Sequence, residues 1–247
     1  MAISPEFGTA GAAATAVLAA YLLLADPWIG RRMYASLERR RDSEPRALVR
    51  YFALVTVLWW LAAALAGAAL LAADDVAASD VGLGAPESPW YAALLCALLV
   101  VGAVVTGRSL RRLHAEGRSV PGLSTIAAML PRTPAERRIA TVAAVTDGLC
   151  AEFVYRGLLI AFGVGVLGLN VYVAAAISLA AYALAGLYQG RRGVLAFAVF
   201  GAIATMFYLV TGSLLVPVVF HVVMTVRDLA FIPVPPRERR SGAHATL

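Results

Sequence analysis

The chain reads as an all-α, polytopic transmembrane helix bundle of about seven spans, and three observations point there. Of its 247 residues 61% are hydrophobic and only 15% charged, with a mean hydropathy of +0.78. An ordinary soluble domain is about 45–50% apolar and about 25% charged. Surface-to-volume scaling denies a globular core of this size room for so much apolar surface, whereas lipid accepts it. The second observation is a series of apolar runs near the length a bilayer demands, and the third is the alternation of charge between them.

A spanning helix needs about 20 apolar residues. Runs at 9–28, 51–73, 90–107, 139–166, 171–187, 194–210 and 214–231 meet or approach that length. The fifth and sixth are short, and Gly and Pro blur the ends of the later runs, so six or eight spans stay open. No long linker, low-complexity stretch or repeat divides residues 1–247, which read as a single integral membrane domain.

The connections alternate in sign. Arg31, Arg32, Arg39, Arg40, Arg41, Arg46 and Arg50 lie between the first and second runs, whereas Asp74, Asp75, Asp80 and Glu87 follow the second with no arginine. Arg108, Arg111, Arg112, Arg118, Arg132, Arg137 and Arg138 precede the fourth, Arg191 and Arg192 the sixth, and Arg237, Arg239 and Arg240 end the chain. The positive-inside rule places every basic connection in the cytoplasm. Seven spans then put the N-terminus outside and the C-terminus inside the cell (cytoplasmic) membrane. With no basic residue before it, the first run reads as a retained helix, not a cleaved signal. Trp28, Trp59, Trp60 and Trp90 are expected near span ends, where amphipathic rings prefer the interface.

All 21 basic residues are arginine, and the net charge is +6. The concentration of most of them in the connections argues for anionic headgroups as partners and against nucleic acid. The tail at 232–247, opened by Pro233, Pro235 and Pro236, cannot continue a helix and is expected to be a flexible cytoplasmic end. Cys96 and Cys150 fall inside apolar runs and read as small buried hydrophobes. His114 and His244 fall in a loop and the tail and read as solvated.

Charges inside hydrocarbon are rare and usually face the bundle interior. The fourth run holds Asp147, Glu152 and Arg156. Glu152 and Arg156 are four apart with the carboxylate N-terminal, the favourable orientation for an intrahelical pair, and such a pair can simply pin the helix to its neighbours. Asp147 lies about 140° around an ideal helix from Glu152 and is expected to face elsewhere. The last run holds His221, four residues before Thr225. A lone histidine among valines is usually a packed, hydrogen-bonded residue, but its place in the same half of the chain as Glu152 and Arg156 makes it a site candidate.

The stretch Asp147-Gly148-Leu149-Cys150-Ala151-Glu152-Phe153-Val154-Tyr155-Arg156-Gly157-Leu158-Leu159, with Thr133-Pro134-Ala135-Glu136-Arg137 before it, resembles the first motif of the CPBP family. These are CAAX prenyl endopeptidase-like intramembrane proteases and bacteriocin-processing or immunity proteins, and the motif reads Glu-Glu-x-x-x-Arg. The region from Tyr182 through Gly186 to Gly190 resembles the second motif, Phe-x-x-x-His. His221-Val222-Val223-Met224-Thr225, after Gly212-Ser213-Leu214-Leu215-Val216-Pro217, resembles the third, His-x-x-x-Asn or Asp. The resemblance covers roughly residues 130–230.

It implies an intramembrane peptide hydrolase in which a glutamate activates water and histidines hold that water and the oxyanion. Glu152, Arg156 and His221 are the site residues that carry over. Ala151 stands in place of the first glutamate, Gly186 in place of the second-motif histidine, and Thr225 in place of Asn or Asp. Ala and Gly neither take a proton nor hold a water. The expectation is therefore a catalytically impaired member acting by binding or regulation, on a membrane-associated peptide or protein. An active endopeptidase working through Glu152 and His221 is the alternative, and a transporter or structural membrane protein the third class. No cofactor is expected: zinc, possible by family analogy, is left with one histidine and one carboxylate. Glu152, Arg156 and His221 are expected to converge in one pocket near the cytoplasmic side.

Overall fold

The computed structural model describes residues 3–73, 75–116, 118 and 123–231. The expected tail at 232–247, His244, Asp74 and the side chain of His114 lie outside the described residues. Among those described there is no strand, and the all-helical expectation is borne out. The helices are α1 (Thr9–Arg40), α2 (Ala47–Leu71), α3 (Pro89–Ala115), α4 (Pro134–Gly165), α5 (Val171–Ala185), α6 (Gly190–Thr211) and α7 (Leu215–Val226).

Among the described residues five continuous helical runs are long and apolar enough to cross a membrane, against the seven spans expected. The difference has two causes. The run Val171–Thr211 is helical throughout, yet a tight 3₁₀ turn at Gly186–Gln189 and a positive φ of 73° at Gly190 fold it back, so that α5 and α6 pack side by side. α7 with its terminal π-helical turn, Arg227–Phe231, is short for a bilayer crossing. The first helix also extends well beyond the apolar 9–28 run, because Asp26 and Pro27 sit where a π-helical turn, Tyr21–Ala25, hands over to a polar continuation.

α4 is the axis of the bundle. Its apolar window is 72% buried, whereas those of the other four runs are 11–28% buried. The other helices leave large side chains bare, with Leu71 91%, Trp90 89% and Leu24 73% exposed. So much bare apolar surface is a lipid-facing coat, not the scatter seen on a soluble protein. Trp59 and Trp60 depart from the expected interface positions. They fall in the middle of α2, where Trp59 turns inward to meet Tyr155 edge-on with centroids 6.3 Å apart.

Three apolar clusters stack along the bundle. Ile160, Ala174, Tyr208 and Leu214 form the acidic-loop end, Leu18, Leu22, Ala62, Ala66, Ala151 and Tyr155 the middle, and Tyr34, Leu48, Phe52, Met129 and Ala144 the arginine-bearing end. At the acidic end Glu6 and Asp75 exchange backbone hydrogen bonds, and Asp80 accepts from the N–H groups of Ser4 and Ala77. At the arginine end the loop before α4 is clasped. Arg41, 7% exposed, donates to both Glu136 carboxylate oxygens at 2.7 and 2.9 Å and to the carbonyls of Ala128 and Leu130. Thr133 caps α4 by accepting from the Glu136 N–H. Arg41 reads in sequence as a connection residue, but with Glu136 it forms a buried pair.

Candidate functional site

Small side chains set the geometry. An added Cβ at Gly148 would stand 2.5 Å from Val222 Cγ2 and 3.1 Å from its backbone nitrogen. α4 and α7 therefore touch backbone to backbone here, as small residues allow within a membrane. That close crossing carries His221 onto the charged face of α4. Its Nδ1 lies 2.7 Å from Glu152 Oε1, and its Nε2 lies 3.4 Å from Asp147 Oδ2. Both ring nitrogens of the histidine thus face carboxylates.

The structure corrects the expectation for Asp147. It does not face away from the site, because the imidazole lies between the two carboxylates and reaches one with each nitrogen. A helical-wheel angle compares directions on one helix; it does not register a ring from a second helix wedged between them.

Arg156 closes the inner side. Its Nη1 donates to Glu152 Oε1 at 3.1 Å, its Nη2 to the Gly201 carbonyl at 3.0 Å and its Nε to Thr205 Oγ1 at 3.4 Å. The guanidinium also lies over the Tyr182 ring, 4.3 Å from the centroid, a cation–π contact in a desolvated setting. Glu152 is fully buried and Arg156 1% exposed. The turn that holds both, Glu152–Leu158, is π-helical, and Ser178 Oγ donates to the Tyr155 carbonyl within it. Single π turns inside α-helices occur often at functional sites.

A cavity of about 790 Å³ opens beside this cluster toward the arginine-bearing helix ends, lined by Asp147, His221, Tyr182, Gln189, Thr225 and many apolar residues, with Asp26, Arg227 and Asp228 also on its wall. His221 and Asp147 form part of its wall, whereas Glu152 and Arg156 stand behind the histidine and outside the lining. The three expected site residues are therefore in contact, but only His221 meets the cavity. Phe200 and Tyr182 hold the imidazole edge-on, at centroid distances of 4.9 and 6.2 Å.

Two of the three replaced positions are closed, whereas Thr225 borders the cavity. Ala151 is fully buried among Leu18, Leu22, Ala62 and Ala66. Gly186 is buried, and a Cβ there would meet the Gly193 carbonyl oxygen at 2.7 Å and Phe197 Cγ at 2.8 Å. Zinc does not fit the donor set: Asp147 and Glu152 address opposite nitrogens of one ring, so the three side chains do not share a centre.

Asp147 and the Arg41–Glu136 clasp are what sequence reasoning missed. Asp147 had a signal, since it lies one helical turn before Ala151 and so on the same face as the missing glutamate.

A family model described as type II CAAX prenyl endopeptidase Rce1-like matches residues 135–226. No curated protein and no solved structure matches the chain. The stretch that supplies Asp147, Glu152, Arg156 and His221 accordingly lies within the match to the Rce1-like CAAX prenyl endopeptidase family.

Proposed function

We propose that this membrane protein receives an apolar, membrane-associated peptide in the cavity beside His221, and that the water-activating set implied by the family resemblance is not assembled around it. The observation that carries the reading is the separation of motif and cavity. Ala151 is packed in the core, Gly186 stands against backbone, and Glu152 is buried behind His221 with an oxygen shared between Arg156 and the imidazole. What remains open is a largely apolar chamber of about 790 Å³, within the range of small-ligand sites and wide enough for a few side chains of an extended peptide. Binding is the activity such a chamber supports by itself, whether the outcome is sequestration, regulation of an active relative or immunity to a membrane-active peptide.

In this reading the whole chain is one membrane domain with the arginine-bearing end in the cytoplasm, following the positive-inside rule. The cavity then faces the cytoplasmic half of the bilayer, within reach of the loops whose arginines attract anionic headgroups.

The test is photo-crosslinking of apolar, lipid-tethered peptides to the purified protein in liposomes, followed by mapping of the adduct. The expected adducts fall on cavity residues such as Met33, Tyr51 and Thr225, and filling the cavity by Ala144→Phe abolishes them. Crosslinks confined to the outer helix faces would sink the reading.

A further inference from the structure

We infer that the cavity selects, among apolar peptides, those that carry a basic side chain, and that Asp26 of α1 is the carboxylate that receives it. The inference rests on the reading that an apolar peptide occupies the cavity, and it names the charge that peptide brings.

Three features carry it. The first is the way the helix brings Asp26 to the wall. Tyr21 and Asp26 would stand about 140° apart around an ideal α-helix. The π-helical turn Tyr21–Ala25 takes up the difference, with the Asp26 N–H donating to the Tyr21 carbonyl, and both residues line the cavity with Ile29 and Met33. Single π turns of this kind recur at functional sites. The second feature is the balance of charge. Arg227 Nε donates to Asp228 Oδ1 at 2.7 Å, Arg156 pairs with Glu152, and His221, even when protonated, offsets one further carboxylate, Asp147. Asp26 is left over. Among the described residues no cation and no hydrogen-bond donor meets its carboxylate. A carboxylate on an apolar wall is costly without a partner, and a ligand cation removes that cost. The third feature is aromatic. Tyr51, Trp59 and Tyr188 also line the chamber, and Tyr51 lies within electrostatic range of both Asp26 and Asp147. Ring faces beside a carboxylate in a water-poor pocket suit an ammonium or guanidinium group. The Tyr155 hydroxyl, buried without a hydrogen-bond partner and within electrostatic range of Asp26, leaves a second unsatisfied oxygen near that carboxylate.

No bond is made or broken in this recognition. The apolar part of the peptide lies against the aliphatic and aromatic wall, and one lysine or arginine side chain reaches Asp26. The field outside the cavity has the opposite sign. The net charge is +6, and the arginines of 31–50 and 108–138 crowd the end toward which the cavity opens, so the surface draws anions at long range. A preference for cations therefore has to arise at short range, on the wall itself. Salt screens the surface term within about a Debye length and leaves a contact inside the cavity much less affected. An acidic side chain in the same place would face Asp26 and Asp147 as a like charge and be turned away.

The experiment uses the full-length protein in zwitterionic liposomes and three apolar benzophenone peptides that differ at one central position: lysine, norleucine or glutamate. Crosslinking yield against peptide concentration gives an affinity for each, and mapping of the adducts confirms the cavity. The lysine peptide is expected to bind about 10–100-fold more tightly than the norleucine peptide, and the glutamate peptide most weakly. Asp26→Asn is the decisive variant, because it keeps the size of the side chain and removes its charge. It is expected to bring the lysine and norleucine affinities to within about threefold of each other. Asp26→Lys is expected to invert the order and favour the glutamate peptide. Asp75→Asn, which removes an exposed charge at the acidic-loop end, is expected to keep the wild-type ratio. Cavity adducts of equal affinity from all three peptides would overturn the inference and leave the binding reading standing. A lysine preference that survives Asp26→Asn would overturn it too, and a cavity that captures none of the peptides removes both readings together.

Discussion

Gly186 and Gly193 face each other so closely that a Cβ on the first would stand 2.7 Å from the carbonyl oxygen of the second, and one on the second would crowd Gly186 and Gln189 in return. This pair is the seam on which α5 folds back against α6, at the turn between them. No histidine fits at 186 while the seam holds. Gly186→Ala is therefore expected to destabilise the protein by about 1–3 kcal/mol, the usual cost of overpacking a filled site. Gly186→His is expected to do worse and to yield no catalytic gain, even combined with Ala151→Glu. Thermal unfolding in detergent checks the first point and a cleavage assay the second. A restored, active double variant would show that the seam opens easily.

The Glu152–Arg156 pair is as deeply buried as any group among the described residues. Removing one partner strands the other charge, which typically costs about 3–5 kcal/mol. Arg156→Met is expected to fall in that range, because it leaves Glu152 facing only the imidazole. Glu152→Gln/Arg156→Met together are expected to cost clearly less than the two single variants summed. Denaturant unfolding of the four proteins gives the coupling energy directly. Strict additivity would mean that the pair adds nothing as a pair.

How much of this was legible in the sequence differs between fold and site. The helical class followed from composition, and the arginines of 31–50 and the acids of 75–87 marked the two ends, because charge is kept out of lipid whatever the helices do inside it. The back-folding at Gly186–Gly190 was not legible, since a helical run broken by glycines looks the same whether it bends, breaks or continues. Glu152 with Arg156 could be read from spacing alone, because both sit on one helix. The contacts of His221 could not, because they depend on the Gly148–Val222 crossing that brings two helices together. Asp147 illustrates the limit best: a wheel drawn for α4 separates it from Glu152, and only α7 joins them.

Orientation has its own test. If the positive-inside rule holds for this chain, a fusion reporter that works only outside the membrane is active when inserted between 76 and 88. A reporter that fluoresces only in the cytoplasm is bright at the Arg191–Arg192 turn. Reversal of basic charge at Arg39, Arg40, Arg46 and Arg50 is expected to lower the share of correctly inserted protein. Arg41 is left out of that set because it is structural. Reporters active on the opposite sides would invert the topology and turn the cavity toward the exterior.

Arg41 and Glu136 hold the segment that borders the cavity at the arginine-bearing end. Ile126 and Met129 of the 3₁₀ turn Leu123–Met129 line the chamber. The segment is tied down mainly by side chains from elsewhere: Tyr34 donates to the Thr125 carbonyl, Arg41 to those of Ala128 and Leu130, and Glu136 accepts from the Arg132 N–H. Backbone held by a few side-chain hydrogen bonds opens locally once they are removed. Glu136→Gln and Arg41→Ala each leave a buried partner without its counter-charge, so each is expected to raise amide hydrogen exchange across 125–132 far more than in α4 beyond Ala140. A loss of about 2–4 kcal/mol of local stability corresponds to roughly 30–1,000-fold faster exchange. A cysteine placed at Met129 is expected to become reactive to a water-soluble thiol reagent in the same variants. Unchanged exchange with a lowered global stability would make the clasp a general brace, not the fastening of this one segment.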